Sequence, residues 1–188
     1  MRPVGTTRAR KHIEKIEYER LIRFVNRSGF IKQERVKVKL RRCFTLLYVT
    51  GCRISEIVGF TTMDLRAMVQ DREYSLTNAT KTKQSRLIIL GEKQAELIRK
   101  ITPDFNVRLF DVSARYLTGK ANEVIHACLG ELYSTHSFRS GYVTRLANSG
   151  ANLKLIQEDV GHCNMATTAR YIRVTDEQKR AAKEKLAW

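Results

Sequence analysis

Residues 134–171 read STHSFRSGYVTRLANSGANLKLIQEDVGHCNMATTARY. His136 and Arg139 stand three positions apart, a spacing that sets both on one face of a helix. Phe138, Tyr142, Val143 and Leu146 supply the apolar side of that helix, predicted over 137–149 and ended at Gly150, with Arg139 pointing elsewhere. Two shorter helices follow, over about 153–160 and 164–172. Gly161-His162 lies between them, and Tyr171 comes nine positions after His162. Arg grips phosphate oxygens in a planar fork, His donates a hydrogen bond or moves a proton near neutrality, and Tyr can attack as a nucleophile. The stretch therefore reads as the chemical half of a phosphodiester-handling site.

The other half lies upstream in TGCRISEI, residues 50–57. Val36, Leu40, Phe44, Leu47 and Tyr48 predict a helix over about 33–50, and Gly51 closes it as a left-handed cap. Arg53 then starts a short helix at a tight corner, a place where a long side chain can be held rigidly. Glu56 stands at i+3 from it. Taken alone, Arg53 and Glu56 would be an ordinary surface ion pair, worth little. The ordered set Arg53…His136-x-x-Arg139…Gly161-His162…Tyr171 is specific where each piece is weak.

Outward from these stretches the periodicity gives a mainly α chain with a small antiparallel β-sheet, an α+β class. Ile16, Leu21, Ile22, Phe24 and Val25 form a helical stripe over 14–27, stopped at Ser28-Gly29. From about 66 the period becomes strand-like, with strands at 74–77 and 87–90 and a polar, basic turn between them that carries Lys81 and Lys83. A short helix follows over 92–101, then a buried connector at Leu109-Phe110. Another helix covers 118–129, with Thr118 as N-cap and His126 as a packing residue. Residues 175–188 read as an amphipathic helix, with a Thr175/Gln178 capping box and Ala181, Ala182, Leu186 and Trp188.

Composition narrows the partner. The chain has 35 Lys+Arg against 19 Asp+Glu, a formal charge of +16. Such an excess favours a polyanion, because each neutralised phosphate releases condensed counterions. Charge alone fits DNA, RNA or a merely solvated surface. The four cysteines form no C-x-x-C pair, so free thiols in a reducing interior are expected. Cys163 sits beside His162 but lacks a ligand set with zinc spacing. No apolar run approaches the ~18 residues of a membrane span, and the basic N-terminus lacks the apolar core of a leader, which together predict a cytoplasmic protein. No carboxylate cluster offers to hold paired metal ions; no metal and no cofactor are expected.

The set resembles the tyrosine recombinases, or phage-type integrases. The residues that carry the likeness are Thr50-Gly51-Cys52-Arg53-Ile54-Ser55-Glu56, Lys81 in the predicted hairpin, His136-Ser137-Phe138-Arg139, Gly161-His162 and Tyr171. It runs from about residue 17 to the C-terminus and covers the family's catalytic domain, without its N-terminal helical DNA-clamping domain. The division it implies is a basic segment at 1–16, a catalytic domain at 17–174 and a C-terminal helix at 175–188 that docks in trans.

The resemblance also implies roles. Arg53 and Arg139 would clamp the non-bridging oxygens of a pentacoordinate phosphorane, with His136 and His162 as further donors. Tyr171 would be the nucleophile and His136 the acceptor of its proton. Lys81 would be the general acid, with Lys83 the alternative because a two-residue slip keeps the facing side. Glu56 would orient its cationic neighbours. Ser140 stands where many relatives have His or another basic residue. The implied activity is site-specific DNA recombination through a 3′-phosphotyrosine and a Holliday junction, independent of metal and ATP. The implied partners are double-stranded DNA with specific recombination sites, three further copies of the chain in a tetramer on that DNA, and accessory DNA-bending proteins. A type IB topoisomerase-like strand relaxation uses the same pocket, and a non-catalytic DNA-binding regulator could share the fold. The spacing and the C-terminal helix favour the recombinase, and every matched catalytic position is occupied.

Overall fold

Tyr18, Leu21 and Val25 recur at helical steps and are buried, and they fix the inward face of α1 (Lys15–Arg27). Glu17 reaches back to accept the Glu14 amide at 3.1 Å, which closes the start of the helix. The structure is a computed structural model and describes residues 11–77, 85–161, 180, 183 and 184. Within α2 (Glu34–Thr50) the C-terminal half is buried on almost every side, at Leu40, Cys43, Phe44, Leu46, Leu47 and Val49. A helix apolar all round belongs in the middle of a domain, and α2 is indeed packed by α1, by α5 (Glu92–Arg99) and by α7 (Thr135–Asn148). Phe44 stacks on Phe138 of α7 with ring centroids 5.6 Å apart. Tyr18 stacks on Tyr48 at 4.2 Å, and its hydroxyl meets that of Thr45 at 3.0 Å. Fully burying one such side chain contributes roughly 1.5–3 kcal/mol.

Two glycines let segments approach closely around α2. Gly51 ends it at φ +62°, and a Cβ there would lie 2.5 Å from the Tyr142 ring. Its predicted left-handed cap is present, the Gly51 amide donating to Leu47 O at 3.1 Å. On α7 a Cβ at Gly141 would lie 2.1 Å from Ile13 O, so only glycine admits the strand of chain that precedes α1. That segment is tied down: Lys11 and Ile13 donate backbone bonds to Leu132 O and Ser137 O, and Ile13 is fully buried. Arg145 of α7 stacks its guanidinium 4.0 Å from the Tyr48 ring centroid and donates to the Ile13 and Tyr48 carbonyls.

After α3 (Ile54–Ile57), the chain enters a helix that the periodicity did not reveal, α4 (Thr62–Asp71). Thr61 caps it, with Thr61 N donating to Asp64 Oδ2 at 2.7 Å. Only Thr62, Leu65 and Met68 of α4 are buried, so its stripe is thin and is easily read as the start of strand-like sequence. Strands β1 (Glu73–Leu76) and β2 (Arg86–Ile89) then pair antiparallel, Glu73 opposite Ile89 and Leu76 opposite Arg86. Both begin one residue earlier than predicted. Lys81, Lys83 and the rest of the turn at 78–84 lie outside the described residues.

Leu109 and Phe110 are buried as expected, on a segment whose Val107 O accepts from Thr62 N and whose Leu109 N donates to Phe60 O. Helix α6 (Ala114–Leu129) begins four residues before the prediction. Ser113 is its N-cap, accepting the Tyr116 amide at 3.2 Å, whereas Thr118 donates inside the helix to Ala114 O at 2.7 Å. His126 is exposed, not packed, because Leu117, Ala121, Val124, Ile125 and Cys128 form the inward face. Helix α8 (Leu153–Val160) matches its predicted span, capped by Asn152, which accepts the Leu155 amide at 2.8 Å. The helix predicted over 164–172 and most of that over 175–188 lie outside the described residues; Arg180, Lys183 and Glu184 are helical. Among the described residues no helix is long and apolar enough to cross a membrane. Among the described residues the architecture is mainly α with a small antiparallel sheet, as the periodicity implied.

Candidate active site

The corner after Gly51 does what its sequence suggested. Arg53 occupies the N-cap of α3 in extended conformation, and Glu56 at the third helical position reaches back to it. Glu56 Oε2 accepts the Arg53 amide at 2.7 Å and Oε1 accepts Arg53 Nη1 at 2.8 Å. The Glu56 side chain is 1% exposed and that of Arg53 31%, so the pair is rooted in the interior with the guanidinium at its mouth. Burial alone would raise the Glu56 carboxyl. The Arg53 amide together with the Arg86 and Arg139 cations outweighs it and holds the group below the ordinary carboxylate range.

Helix α7 brings Arg139 to the same corner. Its start lies earlier than predicted because the Ser134 amide donates to Ser137 Oγ at 3.0 Å, which puts His136 inside the first turn. Arg139, one turn later, is buried and donates from Nη1 to Gly51 O at 2.8 Å and from Nη2 to Val160 O. Its pKa is pushed down to about 10, first by burial and then by Arg53 and Arg86, so it stays protonated at neutral pH. His136 is exposed beside the buried arginine. The structure thus gathers Arg53, Glu56 and Arg139, and places His136 at the N-terminal end of the helix that carries Arg139. Of the remaining expected site residues, Lys81, Lys83, His162 and Tyr171 lie outside the described residues.

One member of the cluster was not singled out from the sequence. Arg86 of β2 is buried, donating from Nη2 to Glu56 Oε2 at 3.2 Å and to Cys52 Sγ at 3.0 Å, and from Nη1 to Asp159 O. Burial works against its charge, but Cys52, Glu56 and Asp159 outweigh that and raise its pKa. A signal for it existed. Arg86 lies one residue before the predicted strand at 87–90, two positions from Ile88 and so in register with its inward face. Asp159 beside it is pushed up, chiefly by burial, despite a hydrogen bond from Tyr142 and the nearby cations. Three guanidiniums therefore surround a single carboxylate held firmly ionised. Arg53, Glu56 and Arg86 border a cleft of about 760 Å³ that Tyr142 and Asp159 also line. Such a pocket is complementary to an anion that gains negative charge as it reacts.

The sequence pattern of the phage integrase family matches residues 11–178. The chain belongs to the phage integrase family. Among its curated relatives is a tyrosine recombinase of Thermosipho africanus (strain TCF52B), 27% identical over an alignment of 165 residues that covers 81% of this chain. This phage integrase chain spans 56% of that relative's length. Among solved structures, the catalytic domain of bacteriophage HP1 integrase has the same fold, with a TM-score of 0.62 and 21% identity over 93% of this chain and 94% of that one. The Tn1549 transposon integrase, solved in complex with a circular intermediate DNA, gives a TM-score of 0.64 and 22% identity over 96% of this chain and 67% of its own.

Proposed function

We propose that this chain cuts and rejoins DNA at specific sites through a 3′-phosphotyrosyl intermediate, as the catalytic part of a site-specific recombinase. The observation that carries the reading is the cluster of Arg53 and Arg139 around buried, ionised Glu56. It is a preorganised cationic corner on a chain of the phage integrase family, and a related integrase has been solved on DNA.

In this mechanism Tyr171 Oη attacks the scissile phosphorus and gives its proton to His136. The phosphorane that forms carries extra negative charge on its non-bridging oxygens, where Arg53, Arg139 and His162 donate hydrogen bonds. The bond to the 5′ oxygen breaks, and Lys81, or Lys83 in its place, supplies the proton that oxygen needs. The phosphotyrosine conserves the bond, so a 5′-hydroxyl from a second duplex can reverse the step without ATP. Glu56 keeps Arg53 oriented throughout. Four copies on two duplexes, docked through residues 175–188 and aided by DNA-bending proteins, would carry strands through a Holliday junction in the cytoplasm. The basic segment at 1–16 would lie along the DNA backbone next to the catalytic domain at 17–174.

Nicked suicide duplexes drawn from DNA flanking the gene test this directly. Wild-type protein should give a covalent protein–DNA band on a denaturing gel. Tyr171→Phe should lose that band while keeping duplex affinity within about threefold, since one hydroxyl contributes little to backbone binding. An adduct that persists in Tyr171→Phe would place the nucleophile elsewhere.

A further inference from the structure

Arg86 opens β2 on its inward side, with 5% of its side chain exposed. A buried guanidinium costs free energy unless its charge is paired and its donors are engaged; Arg86 Nη1 and Nη2 find partners on Asp159, Cys52 and Glu56, while its buried Nε has none. The Glu56 oxygen that accepts Arg86 Nη2 at 3.2 Å is the one that accepts the Arg53 amide at 2.7 Å. The carboxylate's other oxygen holds the Arg53 guanidinium. Arg86 therefore steadies the group that steadies Arg53. On its other side it donates to Asp159 O, while Arg139 donates to Val160 O, so two arginines close the last turn of α8. Gly161 follows in left-handed conformation, and a Cβ there would meet Arg86 Cδ at 3.3 Å. The next residue in sequence is His162.

Stability gives no reason for a cation here, since an apolar side chain of similar volume in place of a buried ion pair is often neutral or stabilising. What an arginine adds is a planar fork able to hold a carboxylate and a carbonyl in fixed relation. We propose that Arg86 is a positioning residue, one guanidinium that sets Arg53 through Glu56 and sets the end of α8 from which the chain runs on to His162 and Tyr171. The proposal rests on the recombinase reading for its consequence in catalysis, and on geometry alone for its claim about Arg53.

Two measurements on the full chain separate these claims. Residue-resolved hydrogen exchange needs no activity. In Arg86→Lys, which keeps the charge but lacks the fork, the Arg53 amide should exchange at least about tenfold faster, while the amides of Leu46 and Leu47 in α2 stay within about twofold. An unchanged Arg53 amide overturns the proposal. On the nicked duplex, Arg86→Lys should form adduct about a hundredfold more slowly, with duplex affinity within about threefold, as a small misplacement of a clamp would do. Combining it with Glu56→Gln should slow the reaction no further than the slower single variant, because both act through one carboxylate. A rate within about threefold of wild type, single losses that multiply, or a loss that follows the folded fraction or DNA affinity would each sink the idea. Absence of an adduct from wild type would refute the recombinase reading by itself, and exchange at Arg53 would still decide the positioning claim.

Discussion

Arg53–Glu56 and Lys120–Glu123 share one pattern in sequence, a base followed three residues later by glutamate, and both make the ion pair. Their basic side chains are about equally exposed, at 31% and 32%. The glutamates differ, Glu56 at 1% and Glu123 at 48%. Lys120 reaches both oxygens of Glu123, at 2.9 and 2.8 Å, on an open helix surface where salt and water compete. Glu56 has no water to fall back on and is held by the Arg53 amide, the Arg53 guanidinium and Arg86. The same short pattern is thus decoration in one place and a fixed point in the other. The acid's surroundings make the difference, and they come from strand β2, thirty residues away in the chain.

The sharpest way to break the comparison is to neutralise each acid in turn. Glu56→Gln leaves Arg86 buried beside a neutral amide, and breaking a buried pair from one side costs about 3–5 kcal/mol; urea unfolding should show a loss in that range. A loss below about 1 kcal/mol would mean that Glu56 is no more a fixed point than Glu123.

Removing a cation sharpens the contrast on the side of chemistry. Arg139→Ala should lower the rate of adduct formation by about a hundred- to a thousandfold, the usual consequence of losing one preorganised donor to a developing anion. Single-turnover kinetics on the nicked duplex measures it, and a tenfold effect or less would remove Arg139 from the clamp.

Acid titration tests Glu56 without a new contact. Its folded pKa lies below the ordinary value, so the stability it contributes is present above the unfolded pKa of about 4.3 and is lost as pH falls through the lower folded value. Wild type should therefore lose stability below about pH 4 more steeply than Glu56→Gln. Parallel acid limbs for the two proteins would contradict the assignment. The smallest effect belongs to Glu123→Gln, expected to change stability by about 0.2–0.5 kcal/mol and to leave the acid limb as it is. A larger cost would show that the surface pair is not the weak member of the comparison.

Much of this was legible beforehand because it depends on near neighbours. The stripes of α1, α2 and α7, the span of α8, the left-handed cap at Gly51 and the strand-like stretch around Ile88 are set by periodicity and backbone preference within a few residues. The ordered set of Arg53, Glu56, His136 and Arg139 was equally visible, since spacing on α3 and α7 follows from the helix repeat. Thr61 with Asp64 was a start signal for α4 that the thin stripe of that helix concealed. Ser113 likewise offered a cap five residues before Thr118, and both hydroxyls suit the role equally in sequence.

By itself the sequence determined the fold class, the family's motif and the large positive charge, because these follow from residue type, order and short-range periodicity. Tertiary structure alone decided that Glu56 is a buried anchor while Glu123 stays at the surface, and that Arg86 joins it. It also decided that Arg139 spends donors on the carbonyls of Gly51 and Val160. Burial and hydrogen-bond partnership are properties of segments far apart in the chain brought together, and the energy of a charge depends on that company far more than on its neighbours in sequence.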